Sequence, residues 1–509
     1  MSIETMSGAP VELSTAPAAA GQPATRDDAQ PTSPSQGRRS DRSRIPTERQ
    51  TALARAIIGT LATVLPAGSP LTFGLEAEPR PPDGEPAGAN HEPPGERPAE
   101  PEAAAGSAAP RRAHVRVHGP GGLARMLPPT GNAFAEAFLR GDIDIEGDIA
   151  AAVEAARDVD LRRLSARQVR RLVRWSLELR GARGDDPGTE LRRPAARLAG
   201  ARHSRARDLE AVRFHYDVGE SFFRLWLDRR LTYSCAYFAG DDDPVRDLDA
   251  AQEAKLDLVC RKLDLRPGQR LLDIGCGWGS LILYAAERYK VDAVGVTLSQ
   301  RQADEANRRA ALLGLERRVR AEVRDYRDLA ALGPFDAVAS IGMFEHVGAG
   351  NLPAYFAAAF GALSPGGRFL NHGIATAERR SAAWPRSASW RGGLRRATFT
   401  ERYVFPDGEL VPVEAAVRVA RDGAGFEVLD LASLRPHYAL TLQAWVARLE
   451  SSWDEAVAAA GAEVARTWRL YMAGARVGFE RGDLDVAQLL LARPVDAARP
   501  APRPLRPWW

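Results

Sequence analysis

Apolar residues in this chain follow two periods, and where neither period holds the composition changes as well. Between residues 270 and 375, short apolar runs (271–274, 293–296, 319–323, 335–341 and 369–374) alternate with stretches whose apolar positions recur three or four apart. That alternation predicts an α/β domain with a doubly wound, mostly parallel sheet and a ligand site at the carboxyl ends of its strands. The second period is two: His114-Val115-Arg116-Val117-His118 predicts a half-buried strand. Upstream, residues 56–65 predict an amphipathic helix, and 65–74 a turn leading into a strand. Residues 1–44 (Ala, Pro, Ser and Arg) and 77–110 (Pro, Glu, Gly and Ala) carry no period and are expected to be disordered. The organisation expected is therefore a disordered 1–44 and a small N-terminal α+β domain at 45–158 with 77–110 as an insertion. A basic helical linker at 159–205, the main domain at 206–498 and a Pro-rich tail at 499–509 follow.

The most informative stretch joins two of these elements. Leu271-Leu272-Asp273-Ile274-Gly275-Cys276-Gly277-Trp278-Gly279 passes from a buried strand through three alternate glycines into a helix beginning at Ser280. Glycine lets a backbone pass tightly under a ligand at positive φ. The spacing is G-x-G-x-G, not the G-x-G-x-x-G of dinucleotide folds. With Asp273 at the strand end it resembles the loop that S-adenosylmethionine-dependent methyltransferases fold around the amino-acid end of their cosubstrate; an ordinary glycine turn is the competing reading. The following strand ends in Thr297-Leu298-Ser299-Gln300-Arg301-Gln302, where a doubly wound fold places its ribose contact. General methyltransferases carry an acid there, and this chain offers Thr297 and Gln302. Asp325 and Tyr326, after the third strand, are suited to flank an adenine.

Four further stretches narrow the resemblance. They are Tyr216-Asp217-Val218-Gly219 leading to Leu231-Thr232-Tyr233-Ser234-Cys235-Ala236-Tyr237-Phe238; Gly295-Val296-Thr297-Leu298-Ser299 beside the glycine loop; Met343-Phe344-Glu345-His346-Val347-Gly348; and Tyr403-Val404-Phe405-Pro406-Asp407-Gly408-Glu409-Leu410. Together they resemble the cyclopropane-fatty-acyl-phospholipid synthases and mycolic acid cyclopropane synthases over about residues 206–498. Phe138-Leu139-Arg140-Gly141-Asp142-Ile143-Asp144-Ile145-Glu146-Gly147-Asp148 is similar to the small N-terminal domain of the full-length enzymes, a lipid-carrier-like fold. The resemblance implies a Rossmann-like class I methyltransferase domain. In that family an acyl-chain alkene attacks the sulfonium methyl group, and a bound bicarbonate takes a proton from the new methyl as the three-membered ring closes. Carried over residue by residue, the resemblance places Cys235, Glu345, His372, Ile374 and Tyr438 at the bicarbonate, with backbone groups from Cys235 and Ile374. Glu345 would accept the bicarbonate O–H and hold His372 in one tautomer. Tyr233 and Ser234, with Asp273, Gly275, Gly277 and Gly279, would meet the amino-acid end of the cosubstrate. Aromatic faces to shelter a carbocation are sought in Tyr233, Phe344, Tyr438 and the variable stretch holding Trp384 and Trp390.

Taken singly, these residues have plainer readings. Cys235 would be a small buried hydrophobe, His372 a satisfied core histidine and Tyr438 packing, with His437 beside it as a rival. Glu345-His346 lacks the H-x-x-x-H or H-x-H spacing of a metal site, so no metal is expected. Three cysteines, Cys235, Cys260 and Cys276, make no disulfide framework. No charged-plus-apolar leader is evident, and the 56–65 run is about half of the roughly twenty residues that span a bilayer. A cytoplasmic enzyme, peripheral at the inner face of the cell membrane, is expected.

Net charge is only +3 over 509 residues, yet the linker concentrates arginine: Arg162, Arg163, Arg167, Arg170, Arg171, Arg174, Arg180 and Arg183. Val169, Leu172, Val173 and Leu177 form an apolar stripe beside them, with Trp175 nearby. Anionic phospholipid is the partner such a segment suits; a solvated linker helix is the alternative, and nothing resembling a nucleic-acid module accompanies it. The expected function is methyl-carbon transfer from S-adenosylmethionine to the cis double bond of an unsaturated phospholipid acyl chain, closing a cyclopropane. A methyl-branching fatty-acyl methyltransferase, an amine N-methyltransferase and a lipid-binding protein with a dead transferase domain remain as alternatives. Family members of this length are often homodimers.

Overall fold

A computed structural model describes residues 47–76 apart from 67, 111–159 apart from 127–130, 163–181, 191, 195–376 apart from 217 and 241, and 397–496. The expectations for 1–44, 77–110, 499–509, Trp384 and Trp390 lie outside the described residues.

The N-terminal part begins with the helix Glu48–Ala62, opened by a reciprocal cap in which the Thr47 hydroxyl and Gln50 side chain satisfy each other's backbone amides. Strand β1 (Leu71–Glu76) pairs parallel to β2 (Ala113–His118), and β3 (Ile143–Gly147) pairs antiparallel to β2. The alternation along β2 is realised: Ala113, Val115 and Val117 are buried, while His114, Arg116 and His118 are half-buried. The stretch from Phe138 to Asp148 becomes a helix end, a tight turn at Gly141 and β3, with Asp148 capping the helix Ile149–Arg157. Its apolar face does not close on itself. Phe138, Ile143 and Ile149 belong to the same buried cluster as Phe222, Trp226, Trp445 and Trp468 of the main domain. Arg466, on the helix Ala462–Arg481, crosses that boundary and donates to the carbonyls of Phe138 (3.1 Å) and Ile143 (3.2 Å).

The linker is helical at Ala166–Gly181, while 195–204 carries no helix before Arg205–Tyr216 begins. Its apolar positions divide between two faces. Leu172 and Leu179 are buried, whereas Val169, Val173 and Leu177 are 43%, 54% and 62% exposed. The reason is angular: the helices at 48–62 and 119–126 take the face carrying Leu172 and Leu179, and Val169, Val173 and Leu177 lie one flank away.

The main domain holds a seven-stranded sheet in the order β6-β5-β4-β7-β8-β10-β9, where β4 is Arg270–Ile274, β5 Asp292–Thr297, β6 Val319–Val323, β7 Phe335–Ile341, β8 Leu363–Thr376, β9 Glu427–Ser433 and β10 Leu484–Ala492. Strands β4 to β8 are parallel, and β10 runs antiparallel between β8 and β9. This is the class I methyltransferase fold. Alternate residues feed opposite faces. Leu271, Ala293 and Leu370 pack on the helices Leu248–Leu263, Ser280–Tyr289 and Gln300–Leu312, while Leu272, Val296 and Phe369 pack under the helix Leu352–Ala362. The strand order reverses between β4 and β7, so their carboxyl ends diverge and leave a crevice. Among the described residues no helix is long and apolar enough to cross a membrane.

Candidate active site

The crevice is an open cleft of about 830 Å³ at the carboxyl ends of β4, β5 and β7. Of the residues expected at the cosubstrate, Gly275, Gly277, Thr297, Gln302, Asp325 and Tyr326 line it. Gly275 must be glycine twice over: its φ is +84°, and a Cβ would come within 2.8 Å of Met343. Gly279, also at positive φ, starts the helix Ser280–Tyr289, and a Cβ there would come within 2.8 Å of Ala306. Gly279 therefore allows the helices to approach and is not among the lining residues.

At the end of β5, the Thr297 hydroxyl donates to Gln302 Oε1 at 2.7 Å, which leaves Gln302 Nε2 buried with no partner. Asp325 caps the turn after β6 by accepting the Arg327 amide at 2.9 Å, and the Tyr326 hydroxyl is buried without a partner. Both groups belong to residues that line one cleft, and buried polar atoms without a partner are costly unless a ligand completes them. The cleft's other wall comes from the helix Arg205–Tyr216, through Asp208 and Tyr216. Tyr216 opens the motif that runs on to Gly219, and that place was the signal in the sequence for a role not expected of it.

Asp273, Ser234 and Tyr233 sit behind the lining. Asp273 is buried with Oδ1 unpartnered, and burial pushes its carboxyl up to about 7 against the pull of Lys255. Lys255 is itself buried, which lowers its ammonium to about 8, and its Nζ donates to the Ser234 hydroxyl at 2.8 Å. No motif pointed to Lys255, since a lone lysine in a helix reads as surface. Tyr233 lies in an aromatic cluster, 5.3 Å from Trp445 and 5.7 Å from Trp226 and Trp468.

A second set of polar groups gathers where β8 passes the turn after β7. Glu345 Oε1 accepts the Ile374 amide at 2.6 Å, while Oε2 is buried and unpartnered. Burial pushes the Glu345 carboxyl up to about 7. His372, two residues before Ile374 and so on the same strand face, has Nε2 buried and unpartnered. Burial, reinforced by Lys255 and Lys262, drives its imidazole down to about 3, so the ring is neutral. Two expected roles are corrected here. The Ile374 N–H is engaged by Glu345 and is not free for an anion, because β8 brings that amide within reach of the carboxylate. The group on His372 Nδ1 is Gln488, at 3.3 Å, and not Glu345, because the neighbouring strand β10 places Gln488 directly opposite. Sequence reasoning missed Gln488.

Cys235 is fully buried, its thiol donates to the Ala236 carbonyl at 3.2 Å, and burial pushes it far above an ordinary thiol, so it is no nucleophile. Tyr438 opens the helix Arg435–Ser451 and lies within electrostatic range of Cys235 and Glu345. His437 turns away: its Nδ1 accepts the Phe238 amide at 3.2 Å and its ring stacks on Tyr237 at 4.7 Å. Thr441, one turn on, accepts the Ala236 amide at 3.0 Å and ties the strap around Cys235 to this helix. Phe344 is corrected too; it packs on Tyr355 and Phe356 in the core on the other face of the sheet. Tyr471, coupled electrostatically to Tyr233, Tyr438 and Glu345, takes its place in the cluster. Among the described residues no three His, Cys, Asp or Glu side chains group as metal ligands, and burial lowers His346 to about 4.

Comparison with known proteins bears on this geometry. Residues 203–489 match the family model described as mycolic acid cyclopropane synthetase. The chain is 40% identical to a probable fatty acid methyltransferase of Mycobacterium tuberculosis over 382 residues, covering 74% of this chain and 85% of that protein. It is 38% identical to a probable fatty acid methyltransferase of Pseudomonas putida over 380 residues, covering 75% and 87%. A solved mycolic acid cyclopropane synthase, complexed with SAH and CTAB, superimposes with a TM-score of 0.51 at 35% identity, covering 56% of this chain and 98% of that one.

Proposed function

This chain belongs to the mycolic acid cyclopropane synthetase family and is an S-adenosylmethionine-dependent methyltransferase, and from that premise we propose that it places the methyl carbon of the cosubstrate on the cis double bond of an unsaturated phospholipid acyl chain and closes a cyclopropane. The alkene attacks the methyl carbon, the carbon–sulfur bond breaks and the sulfur leaves as a neutral thioether. The resulting carbocation loses a proton from the new methyl group, and that electron pair closes the ring.

The observation that carries this reading is the pair of buried, unpartnered polar atoms, Glu345 Oε2 and His372 Nε2, on side chains that the Glu345–Ile374 hydrogen bond brings to one stretch of β8. An ionised Glu345 accepts a hydrogen bond and a neutral His372 can donate one, a complementary set for a small oxyanion that carries one O–H. Bicarbonate fits that set, and when bound it supplies a base that is a poor nucleophile toward the sulfonium. Glu345, His372 and Tyr438 would orient it. The carbocation is sheltered by rings without free nucleophiles, among them Tyr233, Tyr438 and Tyr471, whose hydroxyls burial holds protonated far above the ordinary range.

The bilayer reading rests on the helix Ala166–Gly181. Val169, Val173 and Leu177 are exposed along one flank, with Arg167, Arg170, Arg171 and Arg174 exposed beside them, a composition suited to an anionic lipid surface. A second reading, transfer that ends in a methyl or methylene branch with one double bond retained, is favoured by relatives that align over 380 residues or more, among them two described as probable fatty acid methyltransferases. Expression in a host without its own cyclopropane synthase, followed by mass spectrometry of fatty-acid methyl esters, tests both. A gain of one methylene on monounsaturated chains, lost in Glu345→Gln, supports acyl transfer, and proton NMR separates a ring from a branch. A folded enzyme that binds the cosubstrate and leaves the acyl chains unchanged would sink the phospholipid reading.

A further inference from the structure

The strand β10 contributes one fully buried polar side chain, Gln488, and no step of the chemistry above calls on it. It pairs in register with His372 of β8, its Nε2 faces His372 Nδ1 at 3.3 Å, and its own Oε1 has no partner. A buried primary amide with one oriented contact and one orphaned oxygen is not held there for stability, since an apolar residue of the same shape would avoid the desolvation cost. A histidine ring with two unassigned nitrogens has two neutral tautomers, and the hydrogen bond on one nitrogen decides which of them carries the proton on the other. A donor at Nδ1 makes that atom the acceptor and puts the proton on Nε2.

We propose that Gln488 is a positioning residue that locks His372 as the Nε2–H tautomer, so that its one free nitrogen is a hydrogen-bond donor aimed at an anion. The inference rests on the anion-site reading of Glu345 and His372 and assigns the role there that Glu345 does not fill. Glu345 spends one oxygen on the Ile374 amide and keeps the other as an acceptor. Gln488 ensures that His372 supplies the opposite polarity. With the other tautomer, Nε2 and Glu345 Oε2 would both be acceptors, and an oxyanion with a single O–H could satisfy only one of them. The neutrality of the ring fits this role, because burial beside Lys255 and Lys262 makes a protonated imidazole costly.

The test is nitrogen NMR on the full chain labelled with 15N-histidine, with the His372 signals identified by their loss in His372→Asn. The expected spectrum shows a pyrrole-type Nε2 and a pyridine-type Nδ1 in the wild type. In Gln488→Leu the two shifts should converge toward averaged values, and in Gln488→Glu, where a carboxylate demands a donor, they should exchange. The apparent KM for bicarbonate, measured in CO2-depleted buffer, should rise tenfold or more in both variants, while the affinity for S-adenosylmethionine stays within twofold. A wild-type Nδ1–H tautomer, or a tautomer indifferent to Gln488→Leu, overturns the inference whether or not the variants are active. If the wild type shows the Nε2–H tautomer yet its turnover ignores bicarbonate, the anion reading fails while the hold of Gln488 on the ring stands. Should Gln488→Leu not fold, the wild-type spectrum and the size-conserving Gln488→Glu still decide.

Discussion

Glu345 and Ile374 are joined by a 2.6 Å hydrogen bond from the Ile374 amide to one carboxylate oxygen, and the other oxygen is buried with nothing to accept from. The bond fixes the carboxyl group against β8 while leaving half of its capacity unused. A buried acid in this state trades stability for a poised acceptor, and the trade can be measured.

Glu345→Gln should stabilise the fold at alkaline pH. The native carboxyl titrates near 7 against an ordinary value of 4.5, so the folded state favours the protonated form. That contribution is intact below about pH 4.5 and lost as pH rises through 7. Gln keeps an oxygen for the Ile374 amide and never ionises. Urea unfolding should therefore show the variant more stable than wild type by up to about 3 kcal/mol at pH 8.5, with most of the gap gone at pH 5. Equal stability at both values would show that Glu345 is solvated.

Turnover has its own signature. If ionised Glu345 is the competent acceptor, kcat at saturating S-adenosylmethionine should fall on the acid side with a midpoint near 7. The limb cannot come from His372, which burial keeps neutral well below that range. A flat profile between pH 6 and 8.5 would remove Glu345 from the chemical step.

Gly275→Ala combines a positive φ with a Cβ 2.8 Å from the Met343 side chain. The backbone term alone is about 1–2 kcal/mol, and the loop must also shift at the cleft wall. Calorimetric titration with S-adenosylhomocysteine should show binding weaker by roughly tenfold or more, with the melting temperature changed much less. An unchanged affinity would mean that the loop does not meet the cosubstrate.

These residues also mark what a reader of the sequence could and could not see. Gly275, Gly277, Thr297, Gln302, Asp325 and Tyr326 follow strand ends, and strand ends are visible as period changes, so their convergence on one cleft was legible. Glu345 was legible from its motif. Gln488 was not, because it sits in Leu484–Ala492, a run whose buried character describes any core strand; only pairing across β8 and β10, 116 residues apart in sequence, gives it meaning. Lys255 was hidden for a different reason, since a lone lysine in a helix reads as surface, and only the fold buries it. Of the stripe Val169, Leu172, Val173 and Leu177, the sequence could not say that Leu172 would be buried while the other three stay exposed, since periodicity names a face without saying which neighbour covers it.

Lys255→Met should act on the cosubstrate through Asp273. The ammonium opposes the rise of the Asp273 carboxyl, which burial carries to about 7. Without it that carboxyl moves higher, and the Ser234 hydroxyl loses its 2.8 Å partner. Affinity for the cationic cosubstrate should then fall off at higher pH than in the wild type and recover toward pH 9. Stability should drop by about 1–3 kcal/mol from the orphaned polar groups. Titration calorimetry between pH 6 and 9 checks the first effect; a midpoint that does not move would leave Lys255 a purely structural residue.

The helix Ala166–Gly181 gives the membrane reading its sharpest test, because its exposed residues lie apart from both polar clusters. Arg167, Arg170, Arg171 and Arg174 near an anionic surface would contribute roughly 1 kcal/mol each at low salt, an upper bound that screening reduces. Val169, Val173 and Leu177 would add burial in the headgroup region. Replacing the four arginines by Gln should abolish co-sedimentation with phosphatidylglycerol vesicles and flatten its salt dependence. Val173→Glu with Leu177→Glu should weaken binding at every salt concentration. Neither set should alter S-adenosylhomocysteine affinity, since none of these side chains lines the cleft. If both variants sediment with vesicles as the wild type does, the helix is a solvated connector and the bilayer is met elsewhere.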